Sequence, residues 1–503
     1  MHDLRTIVGR IDHFAAETPD KVAIEFGDRT ITYAQLARSS AGLATVLRAK
    51  GLGAAQRVCL LASNAPEYLI FYHAVLRCGS ALFPINADLS SSEIAYILGH
   101  ADPVLAVCDA SHSLPLADAQ ARAARPVPSL VLEDLFREAG RVDGGAAPAP
   151  LQEPREDDLA LVIYTSGTTS LPKGVPATHR IELLSADAFA SQWQVTADDR
   201  FVCALPLSFL FGLHTATMVA FAQGATVLLF EKFNPVRVLE GIASRRGTVM
   251  LGVPTMYAMM LEHVSETGKR YDLGSVRLAV SSGAPLAGPT RDAIERRLGM
   301  RVQDYYALSE CRPIFSFHAG RLGDAPDGSV GMPVAGVEYR IVDEAGADVP
   351  CGEIGSLIVR SPTLMSGYFR DPERTAGALI DGWLLTGDLG RRDEEGAIYI
   401  SGRTRDQVIS GGQKISAVEV ESVLLQHPAV AQAAAVGVPD EKYGELLKAA
   451  IVLRAAMQLD EDELRRHCKE RLAAYKVPRL ISFLDALPVS PAGKVLKREL
   501  IER

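Results

Sequence analysis

The sequence predicts an α/β fold in more than one domain. A large N-terminal part is built on parallel-rich α/β sheets and ends in a small β-subdomain, and a small α+β C-terminal domain follows. Three observations predict this. Strand-like and helix-like apolar runs alternate from Tyr33 to about residue 335, the pattern that lays parallel strands in a sheet with helices over its faces. From Val337 to Gly402 short strand-like runs dominate, separated by Asp-Glu, Pro-Cys-Gly and Glu-Glu-Gly turns. Beyond Gly402 two helical runs return around two strand runs, enough for a small domain of about a hundred residues. A chain of 503 residues is also too long for one typical core.

Each element follows from local pattern. Leu4 to Ala16 has helical spacing and stops before Thr18-Pro19. Val22–Phe26, the Gly27-Asp28 turn and Thr30–Tyr33 read as a hairpin. Val58–Leu61 and Val104–Val107 read as strands, and Leu69–Cys78 and Ser92–Leu98 as helices. Arg141 to Asp157 is rich in Ala, Pro, Gly and charge, the composition of a surface connection. It leads into Leu159–Ile163, a short buried strand. In the C-terminal part, Val418–Leu425 and Glu461–Ala474 are helical and Ala433–Val438 and Lys448–Leu453 are strands.

Composition narrows the partners. Apolar residues make up 48% and the formal net charge is −9, with no long basic run. Neither nucleic acid nor an anionic membrane is expected as a partner, and an anionic substrate must be held by local positive groups. Seven scattered cysteines without a Cys-x-x-Cys pair argue for a reducing compartment and against a disulfide framework or zinc site. The N-terminus lacks an apolar signal region and no apolar run approaches the length of a membrane span, so a cytoplasmic location is expected.

The segment Tyr164-Thr-Ser-Gly-Thr-Thr-Ser-Leu-Pro-Lys173-Gly-Val175 is a phosphate cradle in chemical terms. Glycine admits an anion to the backbone, N–H groups and hydroxyls donate hydrogen bonds, and lysine supplies charge. It is not an ordinary P-loop, which needs glycine before its lysine and Ser or Thr after it. Pro172 has no N–H to give and Gly174 no hydroxyl. A flexible polar linker is the rival reading.

Four more polar segments follow: Tyr306-Ala-Leu-Ser-Glu310, Thr386-Gly-Asp388, Ser401-Gly-Arg403-Thr-Arg405-Asp406 and Pro488-Val-Ser-Pro-Ala-Gly-Lys494. Taken singly, each would pass for surface or turn residues. With the cradle, in this order and at these separations, they closely resemble the adenylate-forming superfamily of acyl- and aryl-CoA synthetases, peptide-synthetase adenylation domains and firefly luciferase. The resemblance runs from about Thr18 to the C-terminus.

It implies a carboxylic acid activated by MgATP to an acyl-adenylate, with pyrophosphate released, and then attack by a thiol. Thr165, Ser166, Gly167, Thr168, Thr169 and Lys173 would wrap the β- and γ-phosphates. Asp304, Tyr305 and Tyr306 would meet the nucleotide, with Tyr306 stacked on adenine. Glu310 would hold Mg²⁺ through carboxylate oxygen, with the Ser309 hydroxyl reaching phosphate or metal. Asp388 would accept from the ribose hydroxyls, and Arg403 would support the ribose and α-phosphate. Lys494 would contact both the carboxylate and the α-phosphate, offsetting the repulsion between two anions; on composition alone it is a solvated lysine beside Lys497 and Arg498.

The resemblance further implies an N-terminal adenylating domain over 1–402, a hinge over 403–406 pivoting at Arg405, and a mobile C-terminal domain over 407–503. In the second state of that domain, Gly411 and Gly412 would approach coenzyme A. Lys232 resembles a residue that contacts coenzyme A in some relatives, and is otherwise a surface lysine.

The acid pocket would draw on Pro206–Leu213, Val253–Tyr257 and Ser281–Pro285, with Phe209, Phe211, Ser282, Gly283 and Ala284 in its walls. Phe209 stands where many relatives carry histidine, and Phe209-Leu210 offers no carboxylate for an α-ammonium. An α-amino acid is therefore disfavoured, as is a malonate-like acid, and a fatty or aromatic acid is expected. Core packing is the rival role for these aromatics. Arg312 is read two ways, as a structural residue or as the partner of a second oxygenated group on the acid. His214 reads as a packed histidine. Ser170 and Ala307 each replace a usual glycine without removing charge. The leading expectation is an AMP-forming acyl-CoA ligase. The alternative acceptor is the phosphopantetheine of an acyl-carrier protein, whose arm is that of coenzyme A.

Overall fold

A computed structural model describes residues 4–123, 125–141, 154–165, 171–286, 288–320, 326–404, 407–410, 413–440, 442–455, 457–489 and 495–502. Two sheets organise the N-terminal part. The first runs, in spatial order, Val302–Asp304, Leu278–Ser281, Val249–Gly252, Arg200–Cys203, Thr226–Leu229, Val22–Phe26 and Arg29–Thr32. All its pairings are parallel except the last, the hairpin expected at Gly27-Asp28. The second runs Ser129–Val131, Leu105–Cys108, Arg57–Leu61, Ala81–Ile85, Leu159–Thr165 and Lys173–Thr178. It too is parallel up to its final pair. The central strands, such as those at 58–61, 82–85 and 249–251, are apolar and buried because helices cover both faces. One continuous core joins these helices to both sheets, with Tyr33, Tyr68, Phe71, Phe189, Trp193 and Phe221 all but fully buried.

The strand-rich stretch is realised as a five-stranded antiparallel sheet that includes Glu338–Val342, Gly355–Arg360, Trp383–Arg392 and Ile398–Arg403. The C-terminal part has its own sheet and its own core, centred on Val408, Ile415, Val420, Leu447, Ile451 and Leu464. No helix among the described residues is long and apolar enough to cross a membrane.

Several boundaries shift from expectation. The first helix is Ile7–Glu17, because the Thr6 hydroxyl caps it by accepting from the Gly9 N–H. The helix expected over Glu461–Ala474 ends at Lys469. The chain then tightens, with the Leu472 N–H still donating to the Cys468 carbonyl and Leu472 buried, so apolar spacing outlasts the helix. The two C-terminal strands are longer than expected, Val430–Asp440 and Gly444–Leu453, paired as a hairpin. Asp440 closes the turn by accepting from the Lys442 and Tyr443 N–H groups.

Candidate functional site

Parallel strands end on one side of a sheet, so the loops that follow them share an edge. Arg200–Cys203 leads to Pro206–Leu213, Val249–Gly252 to Val253–Tyr257, Leu278–Ser281 to Ser282–Pro285, and Val302–Asp304 to Tyr305 and Tyr306. The sheet order reverses between Arg200–Cys203 and Val249–Gly252, and open α/β sheets have their ligand crevice beyond the strand ends at such a point. Lys232, exposed, lies just past the end of Thr226–Leu229 on the same edge. Phe209 and Phe211 are half-buried, as is Ser282, and Gly283 and Ala284 are exposed. The Ser282 hydroxyl donates to the Tyr305 carbonyl.

A residue with no motif around it fixes this edge. Asn64, in the loop after Arg57–Leu61 of the second sheet, donates to the carbonyls of Leu205 (2.9 Å) and Phe230 (3.0 Å) and accepts from the Leu207 N–H (2.8 Å). One amide thereby joins the two sheets at the mouth of the crevice.

The phosphate cradle joins two antiparallel strands, with Thr165 paired to Lys173. This differs from a Walker loop, where a helix follows. Gly174 allows close packing: a Cβ there would lie 3.0 Å from Val162 Cγ1 and 3.2 Å from Phe369 Cβ. The segment 365–369 then connects the cradle to the Ser309-Glu310 turn. The Phe369 N–H donates to the Gly174 carbonyl and the Met365 N–H to the Glu310 carbonyl, each at 2.8 Å. Between them the Tyr368 hydroxyl donates to Glu310 Oε1 at 2.8 Å and accepts from Lys173 Nζ at 3.3 Å. The ammonium also lies 4.6 Å from the Tyr368 ring centroid, a cation–π contact. Burial, reinforced by the Glu310 carboxylate, pushes the Tyr368 phenol far above its ordinary pKa, so it stays a donor. Nothing in the sequence pattern singles out Tyr368; a Gly-Tyr pair before a helix cap is the faint signal it leaves.

Asp388, buried, stands opposite Arg403 across two antiparallel strands. Its Oδ1 takes the Arg403 Nε at 3.2 Å and its Oδ2 accepts from the Tyr306 hydroxyl at 2.5 Å. Tyr306 is buried against Phe315, and burial plus Asp388 keep it protonated by raising its pKa. Asp304 and Tyr305, expected to meet the nucleotide, have side chains engaged within the protein. Asp304 is buried in an ion pair with Arg291 at 2.5 Å, and Tyr305 packs edge-on against Phe189, Trp193 and Phe211.

Arg312 is likewise engaged within the protein and is not a cation waiting for the acid. It is 2% exposed, forms an ion pair with buried Glu182, and donates from Nη1 to the Ser309 carbonyl at 3.0 Å. The second Glu182 oxygen meets His214 Nδ1 at 2.6 Å, and His214 Nε2 meets the Ser185 hydroxyl at 2.7 Å. Burial lowers the His214 pKa, so the neutral ring donates to Glu182 and accepts from Ser185. Burial opposes ionisation of Glu182, but His214 and Arg312 outweigh it and hold the carboxyl at about 2. The charge of Arg312 is thus neutralised within the protein. Nothing in the motif pattern points to Glu182, because it meets Arg312 across 130 positions of sequence.

Among the described residues no three His, Cys, Asp or Glu side chains form a metal cage. A lone carboxylate beside a phosphate cradle suits a small hard cation held mainly through substrate phosphates, as Mg²⁺ is. Ser166, Gly167, Thr168, Thr169, Arg405, Gly411, Gly412 and Lys494 lie outside the described residues.

Comparisons with known proteins give the family and the fold. The chain is 33% identical to a feruloyl-CoA synthase of Amycolatopsis sp, covering 97% of each. It is 31% identical to a long-chain-fatty-acid–CoA ligase of Bacillus subtilis (strain 168), covering 99% of this chain and 94% of that one. Its fold superposes on ATP-bound MatB from Rhodopseudomonas palustris with a TM-score of 0.89 at 32% identity, covering 100% and 99% of the two chains. Residues 11–369 match the AMP-binding enzyme family and residues 419–494 its C-terminal domain. The chain belongs to the AMP-binding enzymes, the adenylate-forming family.

Proposed function

We propose that this chain is an AMP-forming acid–thiol ligase that activates a fatty or aromatic carboxylic acid and passes the acyl group to coenzyme A. The observation that carries this reading is two linked polar groups, Lys173–Tyr368–Glu310 and Tyr306–Asp388–Arg403, held near each other because Tyr306 and Glu310 belong to one hairpin. In the first half-reaction the acid's carboxylate oxygen attacks the α-phosphorus, the α–β bond breaks and pyrophosphate leaves. In the second, a thiol sulfur attacks the acyl carbon and AMP leaves.

Each site residue has a role in this reading. Thr165, Ser166, Gly167, Thr168, Thr169 and Lys173 hold the β- and γ-phosphates. Asp388 meets Tyr306 through a hydrogen bond on one oxygen and Arg403 through an ion pair on the other, and a carboxylate oxygen can accept more than one donor, here a ribose hydroxyl. Glu310 and Ser309 are the groups that would hold Mg²⁺, which when bound neutralises phosphate charge. Lys494 approaches the carboxylate and α-phosphate from the C-terminal domain, 407–503, which turns about Arg405. Phe209 and Phe211 make the acid pocket apolar, and the neutralised Arg312–Glu182 pair favours an acid without a second charge. Lys232, Gly411 and Gly412 meet coenzyme A. Coenzyme A is preferred to a carrier pantetheine because the relatives carry CoA-ligase names.

The test is pyrophosphate release across a panel of fatty and aromatic acids, with and without coenzyme A, with products identified by mass spectrometry. Acyl-CoA formation is the expected result. Pyrophosphate released for no acid would refute the reading; turnover without acyl-CoA, together with acylation of a supplied carrier protein, would move the acceptor to the carrier.

A further inference from the structure

The Tyr368 hydroxyl lies between the lysine of the phosphate cradle and the carboxylate of the Ser309-Glu310 turn, 3.3 Å from one and 2.8 Å from the other. The neighbouring Phe369 shows what an aromatic ring alone does here. It packs against Phe83 and His100 and needs no hydroxyl. The hydroxyl of Tyr368 therefore has a role beyond packing.

Two opposite charges this near would ordinarily close on each other. A direct ion pair would turn the ammonium away from phosphate and the carboxylate away from metal. Among the described residues Lys173 and Glu310 instead interact only through the phenol. Tyr368 can serve both because a hydroxyl accepts from one group and donates to the other. It occupies Glu310 Oε1, and a carboxylate has a second oxygen with which to take a further partner. The spacer is itself held firmly. Its N–H donates to the Thr375 hydroxyl at 2.9 Å, and that hydroxyl donates to the Asp371 carbonyl at 2.6 Å. The flanking backbone bonds of Met365 and Phe369 fix the segment to both motifs.

We propose that Tyr368 is a positioning residue for the metal–triphosphate end of the site. Its hydroxyl keeps Lys173 and Glu310 apart and aims the Glu310 carboxylate, so that cation and phosphates meet ligands already in place. This rests on the adenylating reading above. Hydrogen bonds to a ligating carboxylate are worth about 10–100-fold in metal affinity or activity.

The test compares the wild-type protein with Tyr368→Phe, which keeps the ring and its cation–π contact. Calorimetry without acid measures ATP binding with Mg²⁺, ATP binding with EDTA, and AMP binding. The wild type is expected to bind ATP more tightly with Mg²⁺. In Tyr368→Phe that gain should shrink by about 10-fold, while AMP affinity and the rate of thiolysis of a supplied acyl-adenylate stay within about 2-fold. An unchanged Mg²⁺ gain, a parallel fall in AMP affinity, or failure of Tyr368→Phe to fold would each overturn the proposal, the last by making the hydroxyl a fold element. If wild-type protein binds ATP but releases no pyrophosphate with any acid, the functional reading fails and the positioning role can still be read from the binding ratio.

Discussion

Tyr306 and Asp388 are 82 residues apart in sequence and joined by one hydrogen bond at 2.5 Å. Tyr306→Phe removes a donor from a buried carboxylate. It should lower unfolding free energy in urea by about 1–3 kcal/mol and raise the KM for ATP more than it lowers kcat. Lys494→Ala should slow adenylate formation ~10²–10³-fold and leave thiolysis of a supplied acyl-adenylate largely intact; equal loss in both half-reactions would falsify the assignment. At this scale the sequence was legible where residues come as short ordered motifs. Thr165, Glu310, Asp388 and Arg403 could be read in that way. Tyr368, Asn64 and Glu182 could not, since each has a partner more than fifty positions away and leaves little local pattern.

The π-type helix Phe211–Met218 carries both Phe211, proposed for the acid pocket, and His214, the buried partner of Glu182. Gly212 sits where its first turn meets the Pro206 and Leu205 carbonyls, and a Cβ there would collide with that backbone. Gly212→Ala should therefore displace the 206–211 loop. The expected result is an acid KM raised by about 10-fold or more with AMP affinity little changed, a split that follows from a shift confined to the acid side.

The same helix and His179–Trp193 are joined by Glu182, whose carboxyl is held at about 2 against an ordinary 4.5. A depressed carboxyl contributes stability that is complete above its unfolded pKa and is lost as pH falls toward the folded value. Urea midpoints should thus fall more steeply between about pH 5 and 3 in wild type than in Glu182→Gln. Arg312→Ala strands the carboxylate and should cost about 3–5 kcal/mol. Strand and helix alternation implied helices in this region without placing these two, and it gave no sign of this polar seam, since its members lie on separate elements.

Across the molecule, alternation of strand and helix runs made the parallel sheets readable, and the change of pattern after Gly402 marked the separate C-terminal core. The order of strands was not readable, because adjacent positions in the sheet belong to distant segments such as Val22–Phe26 and Thr226–Leu229. A chain truncated after Arg403, which keeps the Asp388–Arg403 pair, should keep AMP binding within about tenfold and lose ATP-driven adenylation, as read by calorimetry and pyrophosphate release. Asn64 brings a different kind of vulnerability. Its amide nitrogen faces two carbonyl oxygens across the seam between the sheets. Spontaneous deamidation would replace that nitrogen with an anionic oxygen, turning two attractions into two repulsions with no change of shape. At elevated temperature, such hydrolysis would loosen the loop at Leu205 and Leu207 from its seat without altering any reacting atom.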